Sequence, residues 1–222
     1  MTLEQVVVDI ETSGFSVDDV VTTVGFAVPL GVRVFVQTNG QEAPGVEAAV
    51  GDRVESHVKV TRHESERELF EAVSGFVEVR FRDEDVLLVA YNGERWKGGF
   101  DVPFLRTQYA HHDIDWPFTD VPYADVMPLV TNRFNTTVSD EDEPRGDLAG
   151  VYEALCDGRY GDMDPFAESS EAVTAYENER FAELVVHNVA DMLRTRSLGR
   201  LAERYCSKSD FNVKSLTPTT EG

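Results

Sequence analysis

Three runs of mostly β-branched residues open the chain: Gln-Val-Val-Val-Asp-Ile at 5–10, Val-Val-Thr-Thr-Val-Gly-Phe-Ala-Val at 20–28 and Val-Arg-Val-Phe-Val-Gln-Thr at 32–38. Turn signals separate them, Pro29-Leu30-Gly31 among these, so they read as strands and the last two as a hairpin. Asn39-Gly40 starts a connection, and partial alternation from Val54 to Val60 predicts a further strand. Ser65, with Glu68 three residues on, forms a capping box. Leu69, Phe70, Val73, Phe76 and Val77 then recur at helical spacing, which predicts a helix over 66–80. Val86 to Tyr91 is a continuous apolar run between Asp85 and Asn92-Gly93, as in a central strand buried on both faces.

Asp101-Val102-Pro103 reads as a helix start, with proline in the first turn. A short strand is expected within Val121–Val130, and residues 139–146 form an acidic, proline-containing loop. Asp147 caps a helix through Leu148, Val151, Tyr152 and Leu155, a second loop spans Gly158–Pro165, and helical periodicity runs from Ala172 to Tyr205 with a break expected near Ser197-Leu198-Gly199. No internal repeat stands out. The pattern predicts one domain over 1–206 and a loose polar tail over 207–222. Strands first, then alternating helix and strand, then closing helices, indicate an α/β fold with a mixed sheet flanked by helices.

Length and composition fit a soluble globular domain: 222 residues, 41% of them hydrophobic. No run approaches the roughly 20 apolar residues of a membrane span, and Met-Thr-Leu-Glu-Gln does not begin a signal peptide, so a cytoplasmic location is expected. Cys156 and Cys206 stand far apart, indicate neither a disulfide framework nor a zinc site, and are expected as buried free thiols. Charge alters the picture more. There are 41 acidic and 20 basic residues, a net charge of −21, and lysine occurs only at 59, 97, 208 and 214. Acid spread over every polar segment, with Arg preferred to Lys, is the style of proteins that work in molar salt, most plausibly in a halophilic archaeon; no basic patch advertises nucleic-acid binding.

The chemistry sits at the end of the first strand, in Asp9-Ile-Glu11-Thr. Side chains alternate along a strand, so Asp9 and Glu11 leave the same face and can share a hard cation. Alone, the motif reads equally as a polar strand end running into a turn at Ser13-Gly14. Two more segments offer acids: Asp101 at a helix start after the buried strand, and Asp191 on the closing helix, four residues after His187 on one polar face.

In this order and context the chain resembles the DEDD superfamily of 3′→5′ exonucleases, whose fold is ribonuclease H-like. The motifs are Val-Asp9-Ile-Glu11-Thr-Ser-Gly, then Ala-Tyr-Asn92-Gly93 leading to Phe100-Asp101-Val-Pro-Phe-Leu, then His187-Asn-Val-Ala-Asp191. The similarity runs from about residue 5 to residue 196. Two departures stand out: the stretch between Asn92 and Asp101 is longer than the family's, and histidine precedes the last aspartate by four positions, where one subgroup carries tyrosine and the histidine subgroup spaces it by five. The resemblance implies Asp9, Glu11, Asp101 and Asp191 as ligands of two divalent ions, Mg²⁺ or Mn²⁺. It leaves His187 either as general base or as a partner orienting Asp191. Phe15, Asn92 and Trp96 are candidate contacts for a terminal nucleotide of DNA or RNA, with Arg95 and Lys97 beside Trp96 as phosphate contacts. Phe104 is expected in the core, and His111-His112 at the surface, since helical neighbours diverge by about 100°. The expected activity is metal-dependent 3′→5′ exonuclease cleavage. The rivals are a catalytically silent binding or assembly module of the same fold and a structure-specific endonuclease.

The charge balance yields a direct test. Because the Debye length falls from about 10 Å at 0.1 M to about 3 Å at 1 M salt, self-repulsion at −21 is screened only in concentrated salt. The melting temperature should therefore climb steeply with KCl; a melting temperature independent of salt would refute the halophile reading.

Overall fold

Alternation along the first strand decides which side of the sheet each of its residues serves. In the computed structural model, which describes residues 3–81, 85–94, 100–139, 142–156 and 158–219, this strand is β1 (Glu4–Thr12). Val6, Val8 and Ile10 enter an apolar cluster with two helices later in the chain, whereas Val7 enters the cluster on the opposite side, beneath the long closing helix. Gln5, Asp9 and Glu11 share the face of Val7.

Around β1 stand β2 (Val21–Val28), β3 (Gly31–Gln37), β4 (Val58–His63), β5 (Val86–Ala90), β6 (Pro122–Asp125) and β7 (Lys214–Ser215), in the order β4-β3-β2-β1-β5-β6-β7. β1 pairs antiparallel with β2, and β2 with β3; β5 runs parallel to β1, and β6 to β5. At the edges β4 is parallel to β3 and β7 antiparallel to β6. The helices are α1 (Val46–Gly51), α2 (Glu66–Phe81), α3 (Asp101–His111), α4 (Val126–Arg133), α5 (Leu148–Leu155), α6 (Ser170–Glu177) and α7 (Phe181–Tyr205). The molecule is thus α/β, a mixed sheet covered on both faces, compatible with a ribonuclease H-like fold. Cores lie on both sides: α2 and α3 pack on one face, α1, α4, α5 and α7 on the other.

Several elements depart from the sequence reading. The strand expected over 54–60 is β4 at 58–63, because Val46, Val50 and Val54 recur at helical spacing and are all buried, which places α1 and its exit turn ahead of it. The expected strand within 121–130 is only β6; Asp125 ends it and caps α4 by accepting from Met127 N at 3.0 Å. The break in the closing helices falls at 178–180, where Glu179 takes a left-handed φ of 58°, and α7 runs unbroken through Gly199. The chain from Lys208 is docked, not loose. A 3-10 turn (Lys208–Phe211) and β7 complete the sheet edge, Leu216 is buried, and Trp116 Nε1 donates to the Leu216 carbonyl at 3.1 Å. Two apolar anchors, Phe211 and Leu216, outweigh the polar residues around them. Cys156 and Cys206 are free but half-buried.

Two glycines set how close α7 lies to the sheet. A Cβ at Gly25 of β2 would come within 2.3 Å of Asn188 Oδ1 and Met192 Cε, and one at Gly199 within 2.2 Å of Gln5 Oε1. Gly25 pairs with Asp9 across the ladder. A methyl group there would push α7 away from the very strand that carries the acids. We expect Gly25→Ala to lose about 1–3 kcal/mol of stability through overpacking. Gly75→Ala, on the exposed face of α2 with open space around it, should gain about 0.5–1 kcal/mol from helix propensity. Denaturant melts of the two variants check both signs.

Candidate metal and catalytic site

The carboxyl ends of the parallel strands β1 and β5 make one end of the sheet, where open α/β sheets commonly place their ligands. Asp9 and Glu11 leave the end of β1 toward α7. Asn188 of α7 donates from Nδ2 to Asp9 Oδ2 at 2.7 Å, across the gap that Gly25 keeps narrow. His187 Nε2 lies 3.8 Å from Glu11 Oε1 and 3.9 Å from Asp191 Oδ2. The expectation of one polar helix face is met, but that face is turned inward: His187 and Asn188 are buried.

Asp101 arrives from β5 by way of a pinched loop. Asn92 holds a left-handed φ of 58° and donates its N–H to Asp125 Oδ1 at 2.9 Å. Phe100 N then donates to Asn92 O, and Val102 N to Gly93 O, both at 2.9 Å, so the chain returns to its starting point and α3 begins with Asp101. The long insertion is tied off at its base, which is why it does not displace the acid. Asp101 is buried, and its Oδ2 accepts no hydrogen bond among the described residues.

Four carboxylates from three elements therefore act on one another electrostatically at this end of the sheet. Burial holds Asp9 well above the usual carboxylate range, and the charges of Asp101, Glu11 and Asp191 add to the shift. Glu11 is raised by burial and by Asp191, Asp101 and Asp164. Asp101 is raised by burial and by Asp125 and Asp191. Asp191 is raised by burial although His187 and Arg194 oppose it. Among the described residues no Lys or Arg forms an ion pair with Asp9, Glu11 or Asp101. Glu11 and Asp191 keep 12% and 19% of their side chains exposed, so the cleft opens to solvent on their side.

Asp164, in the connection between α5 and α6, had no signal in the sequence. It binds His187 Nδ1 at 2.8 Å and Arg194 Nη1 at 2.6 Å, and that same Nη1 lies 2.6 Å from Asp191 Oδ1. Asp164 is held below its ordinary value: hydrogen bonds from His187, Phe166 N and Arg194 outweigh the effect of burial. His187 is raised, since Asp164, Asp191 and Asp9 outweigh burial, which alone would lower it. Asp164, His187 and Asp191 offer donor atoms within 4.8 Å of one another. A guanidinium already bridges the two carboxylates of that triangle, whereas Asp9, Glu11 and Asp101 have no Lys or Arg ion pair among the described residues.

The remaining candidates fall into place unequally. Phe15, four residues beyond Glu11, is 72% exposed and meets Phe100 edge-on at 5.1 Å, with Phe100 resting in turn on buried Phe104. Asn92 serves the loop corner, its Oδ1 buried without a partner among the described residues. Trp96, Arg95 and Lys97 lie outside the described residues. His112 is no bare surface group: its Nε2 lies 2.7 Å from buried Glu66, whose other oxygen accepts from Val21 N at 2.6 Å. No helix among the described residues is long and apolar enough to cross a membrane. No protein-family model matches the chain, and no curated protein matches it either.

The raised carboxylates fix the sign of a pH effect. An acid whose folded pKa lies above its unfolded one favours folding below the unfolded value, and that stability is lost as pH rises through the folded value. Without divalent ions the protein should gain stability from neutral to mildly acidic pH. Asp101→Asn removes one contributor and relieves Asp9 and Glu11, so its melting temperature at neutral pH should equal or exceed the wild type's and rise less on acidification. Calorimetric melts in chelator across this range would show parallel curves if the idea is wrong.

Proposed function

We propose that this chain is a metal-dependent nuclease that hydrolyses phosphodiester bonds of DNA or RNA, most simply from a 3′ end. The observation that supports it best is the convergence of Asp9, Glu11, Asp101 and Asp191 with too few cations to neutralise them. Burying an ion costs several kcal/mol even after relaxation, so a cluster of four acids of which only Asp191 meets an arginine is expected to be protonated or to bind cations. Asp101 Oδ2, buried and without a hydrogen-bond partner among the described residues, supports that reading. Carboxylate oxygens suit Mg²⁺ or Mn²⁺. Asp9, Glu11, Asp101 and Asp191 would hold such ions, which when bound would supply activation of water and charge stabilisation at the attacking and leaving oxygens.

The chain's own residues divide the remaining work. His187 Nε2 faces the cleft between Glu11 and Asp191 and is placed to take a proton from the attacking water. Asn188 restrains Asp9 with a neutral donor, which holds its position without cancelling its charge. Phe15 presents an open ring on which a terminal base can stack irrespective of sequence, a contact worth about 1–3 kcal/mol. The likeness to DEDD exonucleases in motif order agrees with this division, and the expected setting is the cytoplasm of a halophile.

Labelled single- and double-stranded DNA and RNA, with free and blocked ends, incubated with Mn²⁺, Mg²⁺ or chelator, test the proposal. Cleavage should need a divalent ion, proceed from the free 3′ end, and vanish in Asp9→Asn and Asp101→Asn, both of which should remain folded. Cleavage undiminished in chelator would overturn the mechanism. Loss of end dependence would favour the endonuclease, and absence of cleavage under every condition the silent module.

A further inference from the structure

His187 and Asp191 stand one turn apart on α7; His187 is fixed from outside that helix by Asp164, and Asp191 from within it by Arg194, which Asp164 also holds. Asp164 Oδ1 takes His187 Nδ1 at 2.8 Å and the Phe166 N–H at 3.1 Å. Its Oδ2 takes Arg194 Nη1 at 2.6 Å, and Arg194 closes the ring onto Asp191 Oδ1 at 2.6 Å while Nη2 reaches the Tyr160 carbonyl at 3.4 Å. The Asp164, His187 and Arg194 side chains are 5%, 6% and 7% exposed, so water does not compete for these bonds.

A neutral imidazole has one donor nitrogen and one acceptor, and an ionised carboxylate only accepts. Asp164 therefore draws the ring proton to Nδ1. Nε2 is left with its lone pair toward the cleft, where its nearest charged neighbours are Glu11 and Asp191. Arg194, held by two carboxylates, fixes the plane of the Asp164 carboxylate and occupies one oxygen of Asp191, leaving Oδ2 on the side of Nε2. We propose that Asp164, anchored by Arg194, is the positioning residue of this centre: it holds His187 as the Nδ1–H tautomer, so that Nε2 acts as a proton acceptor and not as a donor to phosphate. The catalytic consequence rests on the nuclease reading above; the tautomer does not.

Nitrogen-15 NMR of the uniformly labelled full chain, at a pH where the ring is neutral, reads the tautomer directly, with His187→Gln identifying the signals. A pyrrole-type Nδ1 and a pyridine-type Nε2 are expected. Asp164→Asn keeps the shape but must turn its NH₂ either on the ring proton or on Arg194, so the tautomer preference should be lost. Single-turnover hydrolysis of a labelled oligonucleotide with Mn²⁺ should then fall about 10–100-fold. A pyrrole-type Nε2 in the wild type overturns the proposal even if the variant does not fold, as does a folded variant with the wild-type tautomer and rate. A wild type that hydrolyses nothing defeats the nuclease reading, while its spectrum still decides the tautomer.

Discussion

Everything at the acidic end of this molecule depends on how near one helix can come to one strand. α7 runs along the face of β1 that bears Gln5, Val7, Asp9 and Glu11, touching Gln5 through Gly199 and Asp9 through Asn188. Valine in the middle of that face supplies the apolar contact, Gln5 Nε2 donates to the Gly199 carbonyl, and Asp9 accepts from Asn188 Nδ2. The approach is possible because two positions lack a Cβ. Interiors are packed as densely as organic crystals, so a displacement of the helix by even one methyl would be felt at the carboxylates.

Electrostatics then acts on this scaffold in two unequal halves. Around Asp164 and Arg194 charge is balanced and the geometry is set by short bonds between buried partners. Beside it, Asp9, Glu11 and Asp101 are crowded without a Lys or Arg ion pair among the described residues, and each is pushed toward its neutral form. One half is rigid because it is satisfied. The other is a store of unfavourable charge that a bound cation would relieve.

Much of this was legible in the chain because the signals were local. Runs of β-branched residues marked β1 to β3, Asp147 and Ser65 marked helix starts, and the acids of three motifs do meet at one strand end. What escaped were features set by contacts distant in sequence. Gly199 reads as a break until Gln5, 194 residues away, is seen against it. Leu216 sits in a polar tail, and only Trp116 and β6 show that it belongs to the sheet. Asp164 lies in a loop with many other acids, and nothing in its neighbours announces that it faces His187 and Arg194. The likeness of motif order singled out the four acids; it carried no information on the residue behind them.

The pinched base of the loop between β5 and α3 has a bearing on how such a protein can change. Because Asn92 and Phe100 are joined backbone to backbone, the segment they enclose is a closed excursion whose length does not alter where Asp101 stands. Loop closure becomes more unfavourable by only about 0.6 kcal/mol for each doubling of length. Residues can thus be inserted, deleted or exchanged within that excursion while the acid stays in register. It separates two kinds of heritable variation, leaving the length and content of that segment free to drift beside an acid that is held still.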